Sequence, residues 1–294
     1  FFFQAEDAIR DRSPSRGLGD VYKRQMQIFS LIAFSALITN SYAMDNSTEI
    51  LINEAIEGEH RTKENKARDI YRHPKETLLF FGIELHMSVL EILPGRGWYT
   101  EILAPVLKSS GQLTIAGFGE NHPNDYLRKS HAKLMEHLGK NTEVYKKVNF
   151  IIFNNENSFL KEIDSNSQDM ILTFRNNHNW IRSGNTKNIY QAFHRVLKKG
   201  GILGVVQHRG GKNDNPDESA KNGYVSEKFI INIAEKYGFE LIDKSEINAN
   251  KKDTKNHPKG VWTLPPTLRL GETDKDKYIE IGESDRMTLK FIKL

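Results

Sequence analysis

The chain has 294 residues, with 42 Lys and Arg against 38 Asp and Glu, a formal net charge of +4 and no Cys. The missing cysteine excludes disulfides, thiolate nucleophiles and Cys-ligated metals, and it suits an oxidising compartment. Basic and acidic residues are interspersed and the histidines scattered, so neither a nucleic-acid stripe nor a metal site is indicated.

Residues 1–25 have no apolar period and are crowded with Arg, Asp, Ser and Gly, so they read as a non-native or disordered tail. From Met26 the character changes. Residues 28–38 form an uncharged apolar run, shorter than the ~20 residues a bilayer span requires. Ser41-Tyr-Ala43 places small residues at −3 and −1 of a cleavage site. The segment 26–43 is therefore expected to be a signal peptide, and the protein periplasmic or secreted. Met26-Gln27 carries no Lys or Arg, which leaves an uncleaved N-terminal anchor as the alternative. Residues 44–294 then make one domain, with no stable membrane span after cleavage.

Within that domain, 47–81 reads as N-terminal helices, the last opened by Pro74 at its first turn. Apolar runs then predict strands at 88–93, 111–118, 149–153, 169–174, 201–208, 239–247 and 287–293. Helical periodicity fills 98–108, 124–138, 185–198 and 225–237. Strands alternating with helices predict a mostly parallel, doubly covered α/β sheet. Leu197-Lys-Lys-Gly-Gly201 reads as a helix end, as does Gly238. The stretch 248–285 reads as one long loop, of the kind that often lies over a site.

The most informative segment is Glu91-Ile-Leu-Pro-Gly-Arg-Gly-Trp-Tyr-Thr100. A strand, a Gly-rich turn and a helix N-terminus bring bare backbone N–H groups to the carboxyl edge of a sheet, where nucleotide-like ligands bind. Gly95 and Gly97 allow a tight turn, but Trp98-Tyr99 stand where a dinucleotide fingerprint has its third glycine. Trp98 and Tyr99 have two readings, packing under the sheet or edging the cofactor. At the same edge, His178 and His208 are candidate bases, with hydrogen-bonded structural histidines as the other reading. Arg175 and Arg209 are candidate anion clamps, or else partners of local acids. In the long loop His257, Trp262 and Arg269 are candidate substrate contacts, although a Pro-fixed loop with Trp262 as an anchor reads as well. No Gly-x-Ser-x-Gly elbow, His-Glu-x-x-His pair or Walker loop is present.

Several long blocks carry a family resemblance: Tyr71-Arg-His-Pro-Lys-Glu-Thr-Leu78, Glu91 to Pro105, Leu172-Thr-Phe-Arg-Asn-Asn-His-Asn-Trp180, Gly200 to Arg209, Ser245 to Arg269 and Gly282-Glu-Ser-Asp-Arg-Met287. In these the chain resembles class I S-adenosylmethionine-dependent methyltransferases. More narrowly, it is similar to a bacterial family of predicted, signal-peptide-bearing members. The resemblance implies a seven-stranded sheet of order 3-2-1-4-5-7-6 with the last strand antiparallel. It implies S-adenosylmethionine as cofactor, its methionine end held by Glu91, Gly95 and Gly97 beside Tyr99. Asn154 or Asn155 is implied near the adenine, and Phe174, Arg175 and Asn176 beside the methyl group. The ribose acid that such proteins carry at the end of the second strand is displaced here to Glu120, or missing.

The leading expectation is thus a methyltransferase acting on a small-molecule acceptor. The runner-up is an exported, non-catalytic binding protein of the same fold, because S-adenosylmethionine is made in the cytoplasm. A nicotinamide-dependent oxidoreductase is third, lacking both a third glycine and a timely acid.

Overall fold

The computed structural model describes residues 47–155 and 158–294, so the readings of 1–25 and 26–43 lie outside the described residues. The N-terminal stretch forms helix α1 (47–57), then α2 (Lys63–Lys66), α3 (Asp69–Arg72) and α4 (Pro74–Phe81). The alternating part follows as β1 (Ser88–Ile92), α5 (Thr100–Leu107), β2 (Gln112–Gly117), α6 (Asp125–Lys140), α7 (Thr142–Tyr145) and β3 (Asn149–Ile152). A short ladder pairs β4 (Asn154–Asn155) with β5 (Ser158–Phe159). Then come β6 (Gln168–Phe174), α8 (Asn177–Arg182), α9 (Thr186–Val196), β7 (Leu197–His208), α10 (Pro216–Lys221) and α11 (Glu227–Lys236). The chain closes with β8 (Phe239–Ser245), a 3-10 turn at Gly260–Thr263, α12 (Lys275–Ile281) and β9 (Arg286–Lys293).

Seven strands form one sheet of order β3-β2-β1-β6-β7-β9-β8. All neighbours pair in parallel except β9, which runs antiparallel to both β7 and β8. Counting only these strands along the chain gives the expected 3-2-1-4-5-7-6.

Alternation of side chains sorts the strands onto two apolar faces. Leu90, Ile92, Ile171, Leu203 and Val205 point to the layer made by α9 and α11. Val89, Ile115, Met170 and Leu172 point the other way, onto α4, α5 and Leu134 of α6. Glu91 falls on this second face, so a carboxylate stands in an apolar layer.

Local chemistry explains the termini. Asn124 and Ser226 accept from backbone N–H groups three residues on and so cap α6 and α11. Gly238, at φ +87, ends α11 as the sequence indicated.

Three sequence expectations are corrected. The predicted helix end at 197–201 is instead the start of β7: Leu197 pairs with Gln168 and Ile202 with Met170, leaving 198–201 bulged opposite Asp169. Lys198 ties that bulge to Asp169 at 2.6 Å, and Gly200 turns it at φ +76. The loop 248–285 is not unstructured throughout, because it holds the 3-10 turn and α12. Helices α8 and α10 were not predicted, being only six residues long and too short to show a period. No helix of the described residues is long and apolar enough to cross a membrane.

Candidate functional site

Two neighbouring strands leave the sheet through left-handed backbone at residues that do not favour it: Leu93 after β1 (φ +50) and Arg175 after β6 (φ +63). Each such conformation costs about 1–2 kcal/mol, and strain of this kind collects at functional sites. They flank the point where strand order reverses, β2 lying to one side of β1 and β6 to the other. Open α/β sheets bind ligands at that crevice.

After Leu93 the chain turns through Gly95 (φ +65) and Gly97 (φ +86) into α5. The two glycines do different work. A Cβ on Gly95 would project into open space, whereas one on Gly97 would lie 3.1 Å from the Leu134 side chain. Gly95 faces the crevice and Gly97 lets α6 pack against the turn.

Two adjoining cavities open here. The larger, about 610 Å³, runs past the ends of β1, β2 and β3 and is walled by Gly117, Phe118, His122, Asn154, Asn176 and Trp180. The smaller, about 300 Å³, lies over β1 and β6 and is walled by Glu91, Tyr99, Phe174, Arg175, His178 and Trp262. Leu93, Gly95, Tyr126, Asn176 and Asn179 border both. Asn176 braces the divide by donating from Nδ2 to the Ile92 carbonyl at 2.9 Å.

Glu91 is 1 % exposed, and its one side-chain hydrogen bond comes from the Thr100 hydroxyl at 2.6 Å. Burial pushes its carboxyl up to about 7, and the Thr100 bond opposes this only in part. A carboxyl raised from 4.5 to about 7 on folding makes the folded state less favourable as pH rises between those values. Glu91→Gln should therefore keep at pH 8 a stability that the native protein loses between pH 5 and 8, by up to about 3 kcal/mol. Thermal melts at both pH values check this, and parallel pH dependences would show that Glu91 is ionised throughout.

Tyr99 and Phe174 stack face to face, centroids 3.6 Å apart and planes at 8°. Trp98 sends its indole N–H to the Asn65 carbonyl at 3.0 Å and carries the Arg72 guanidinium over its ring at 4.5 Å. Trp98 and Tyr99 are both buried, as packing requires, and each also reaches the wall of the smaller cavity.

His178 sits on α8, not in a loop, with Nδ1 3.4 Å from the Gln207 amide. Gln207 is itself fixed to the Gly223 carbonyl and the Asn177 N–H. His208 shares a short hydrogen bond with the Ser284 hydroxyl. Burial, followed by the Arg182 charge, pushes His178 down to about 4. Burial and neighbouring cations press His208 well below its ordinary value. Both imidazoles are neutral near pH 7 and resist gaining a proton. They are hydrogen-bonding groups more than proton sinks.

The loop candidates divide. Trp262 is half-buried, lines the smaller cavity, meets His178 edge-on at 5.8 Å and carries the Arg269 guanidinium 5.0 Å from its ring. Arg269 is exposed and does not line either cavity. His257 is held by Asp253 at 2.8 Å, away from the cavities. Arg209 chelates Glu246 with two 2.8 Å bonds and does not reach the site. Glu120 is exposed and outside the cleft. No carboxylate of the described residues walls the larger cavity.

Sequence reasoning missed Arg68, Arg72, Glu283 and Arg286, which surround Arg175 and His208. The last three lie inside blocks that carried the family resemblance, yet nothing in their spacing shows that residues 72 and 286 meet. Among the described residues no cluster of three or more His, Asp or Glu is arranged to hold a metal.

Sheet order, the antiparallel β9 and the crevice at β1/β6 define a Rossmann-like methyltransferase fold. Among solved structures the chain is similar to an S-adenosylmethionine-dependent methyltransferase from Aquifex aeolicus, with TM-score 0.52 and 16% identity over 78% of this chain and 93% of that one. It is also similar to a putative sarcosine dimethylglycine methyltransferase from Galdieria sulphuraria, with TM-score 0.51 and 13% identity over 78% and 86% of the two chains. The [4+2]-cyclase SpnF is a third, with TM-score 0.51 and 17% identity over 81% and 84%. No protein-family model and no curated protein matches the sequence.

Proposed function

We propose that the protein is an S-adenosylmethionine-dependent methyltransferase acting on a small acceptor. The observation that carries this reading is the pairing of Gly95, whose Cβ would enter the cleft, with the buried Glu91 carboxyl at the strand-order switch point. Glu91 and the 95–97 backbone suit the methionine end of such a cofactor. Gly117, Phe118 and Asn154 border the space for its nucleoside end. The fit departs from the family pattern at one place. With Glu120 outside the cleft, ribose hydroxyls would meet side chains such as His122 and Asn124 in place of a carboxylate.

When bound, the cofactor supplies a methyl group already activated on a sulfonium. What remains for the chain is alignment and exclusion of water. The Tyr99–Phe174 stack and Trp262 make an apolar wall. His178 and His208, kept neutral, orient an acceptor by hydrogen bonds without competing as cations. Trp262→Ala should weaken binding of S-adenosylhomocysteine and acceptor more than it lowers the melting temperature, because the ring is half-exposed. A larger effect on melting than on affinity would make Trp262 an anchor.

Calorimetric titration with S-adenosylmethionine and S-adenosylhomocysteine tests the proposal, and no binding at millimolar ligand would sink it. A non-catalytic binding protein is the second reading. It is favoured by the absence, among the described residues, of a carboxylate along the larger cavity. Binding without transfer to any acceptor would select it. The proposal extends to membership of the signal-peptide-bearing bacterial family and to a periplasmic or secreted location. Cell fractionation tests the location, and full-length precursor confined to the cytosol would overturn it.

A further inference from the structure

A third cavity, about 230 Å³, adjoins the site and is walled by Arg68, Arg72, Arg175, Arg286, Glu283 and Trp262, among others. Four guanidiniums here face a single carboxylate. Glu283 accepts from Arg68 Nε at 2.6 Å, lies 3.5 Å from Arg72 Nε and is hydrogen-bonded to Arg286 Nη2. Arg175 has no side-chain hydrogen bond or ion pair among the described residues. The donors of the others are not used up either. Arg72 is 3 % and Arg286 2 % exposed, yet Arg72 Nε and Nη1 and Arg286 Nε are buried without a hydrogen-bond partner.

Burying cations without partners is costly, and such groups are normally paired. The nearby acids are engaged elsewhere: Asp285 with Arg209 and Lys255, and Asp253 with Tyr224 and His257. Both histidines at the boundary are neutral. Three positive charges thus remain uncompensated around a hollow. Burial, and then Arg286, push the Arg175 guanidinium down to about 9, as expected where like charges crowd.

We propose that this arginine cavity binds a small dianion, a phosphate or dicarboxylate group, and that it is the handle of the methyl acceptor. Guanidinium forks match planar or tetrahedral oxyanions through paired N–H bonds. Arg72, Arg175, His208 and Trp262 wall both this cavity and the one containing Glu91, so the anion would sit against the place where transfer occurs. The word acceptor rests on the methyltransferase reading, whereas dianion binding does not.

The test titrates inorganic phosphate and, separately, malonate into the whole chain at fixed ionic strength, with and without saturating S-adenosylhomocysteine. One site per chain, unchanged by S-adenosylhomocysteine, is expected, and the tighter of the two probes identifies the oxyanion. Arg175→Gln should weaken it at least about tenfold through loss of charge-assisted bonds. Since that side chain holds nothing in the unliganded protein, the variant should melt at the native temperature or above. Arg68→Gln, at the more open rim, should weaken binding as well and serves if Arg175→Gln fails to fold. Absence of binding by either probe, affinity unaffected by these variants, or displacement of the anion by S-adenosylhomocysteine would overturn the proposal. Anion binding without any binding of S-adenosylhomocysteine would remove the methyltransferase reading and leave the anion site standing.

Discussion

Replacing Glu283 by Gln should be strongly destabilising, costing about 3–5 kcal/mol and lowering the melting temperature by roughly 10 °C. Among the described residues Glu283 is the sole carboxylate against Arg68, Arg72 and Arg286, and it is 3 % exposed. Removing its charge leaves four guanidiniums in one cluster, with Arg72 and Arg286 fully buried, and breaking a buried ion network is costly. Burial alone would raise its carboxyl, but Arg286, Arg72 and Arg68 outweigh that and hold it far below the usual carboxylate range. The sign follows. A carboxyl depressed on folding contributes stability that is complete above its unfolded value of 4.5 and is lost as pH falls toward the folded one. The native protein should therefore lose stability on acidification below about pH 4, and Glu283→Gln should show a flatter profile there. Melting curves from pH 2 to 8 check both the size and the slope. Phosphate in the arginine cavity should recover part of the variant's loss.

Gly95→Val should abolish cofactor binding, with affinity falling at least about a hundredfold, a loss near 3 kcal/mol. A Cβ at this position has nothing within 4 Å and enters the open space between the two cavities, so a branched side chain grows into the cleft. Backbone strain is the confounding effect, because Gly95 stands at φ +65 and a left-handed β-branched residue costs about 1–2 kcal/mol. Gly200→Val supplies the control. Gly200 has φ +76 and likewise nothing within 4 Å, but it lies in the bulge opposite Asp169, remote from the cleft. The two variants should melt alike, and only Gly95→Val should lose S-adenosylhomocysteine in a calorimetric titration. Equal affinity in both would show that the cofactor does not lie on the Gly95 turn.

The fold was legible because its signals are local. Apolar runs such as 88–93 and 169–174, separated by helical periods and closed by Gly238, define alternating strands and helices. The expected sheet order was also found, although it rested on resemblance and not on periodicity. Short elements escaped: six residues of α8, His178 among them, carry too few apolar positions to reveal a period. The 197–201 segment misled for a different reason. Lys-Lys-Gly-Gly has the chemistry of a helix end, yet pairing of Leu197 with Gln168 draws it into β7. Tertiary pairing outweighs that local preference.

The site was legible only in part. By itself the sequence determined the Glu91–Gly97 turn, because strand, glycines and helix follow one another within ten residues. It also brought His178, His208 and Arg175 to the same sheet edge, since each closes or follows a strand. Tertiary structure alone decided the roles of the cations. Arg209 read equally as a ligand clamp or a partner of acids and is the latter, chelated by Glu246, whereas Arg68, Arg72 and Arg286 give no local signal and meet Arg175 over separations of more than a hundred residues. An excess of buried positive charge is a property of which side chains converge and which acids stay away. Spacing along a chain does not encode either of these, and only the folded packing of α3, β6, β7 and β9 brings them about.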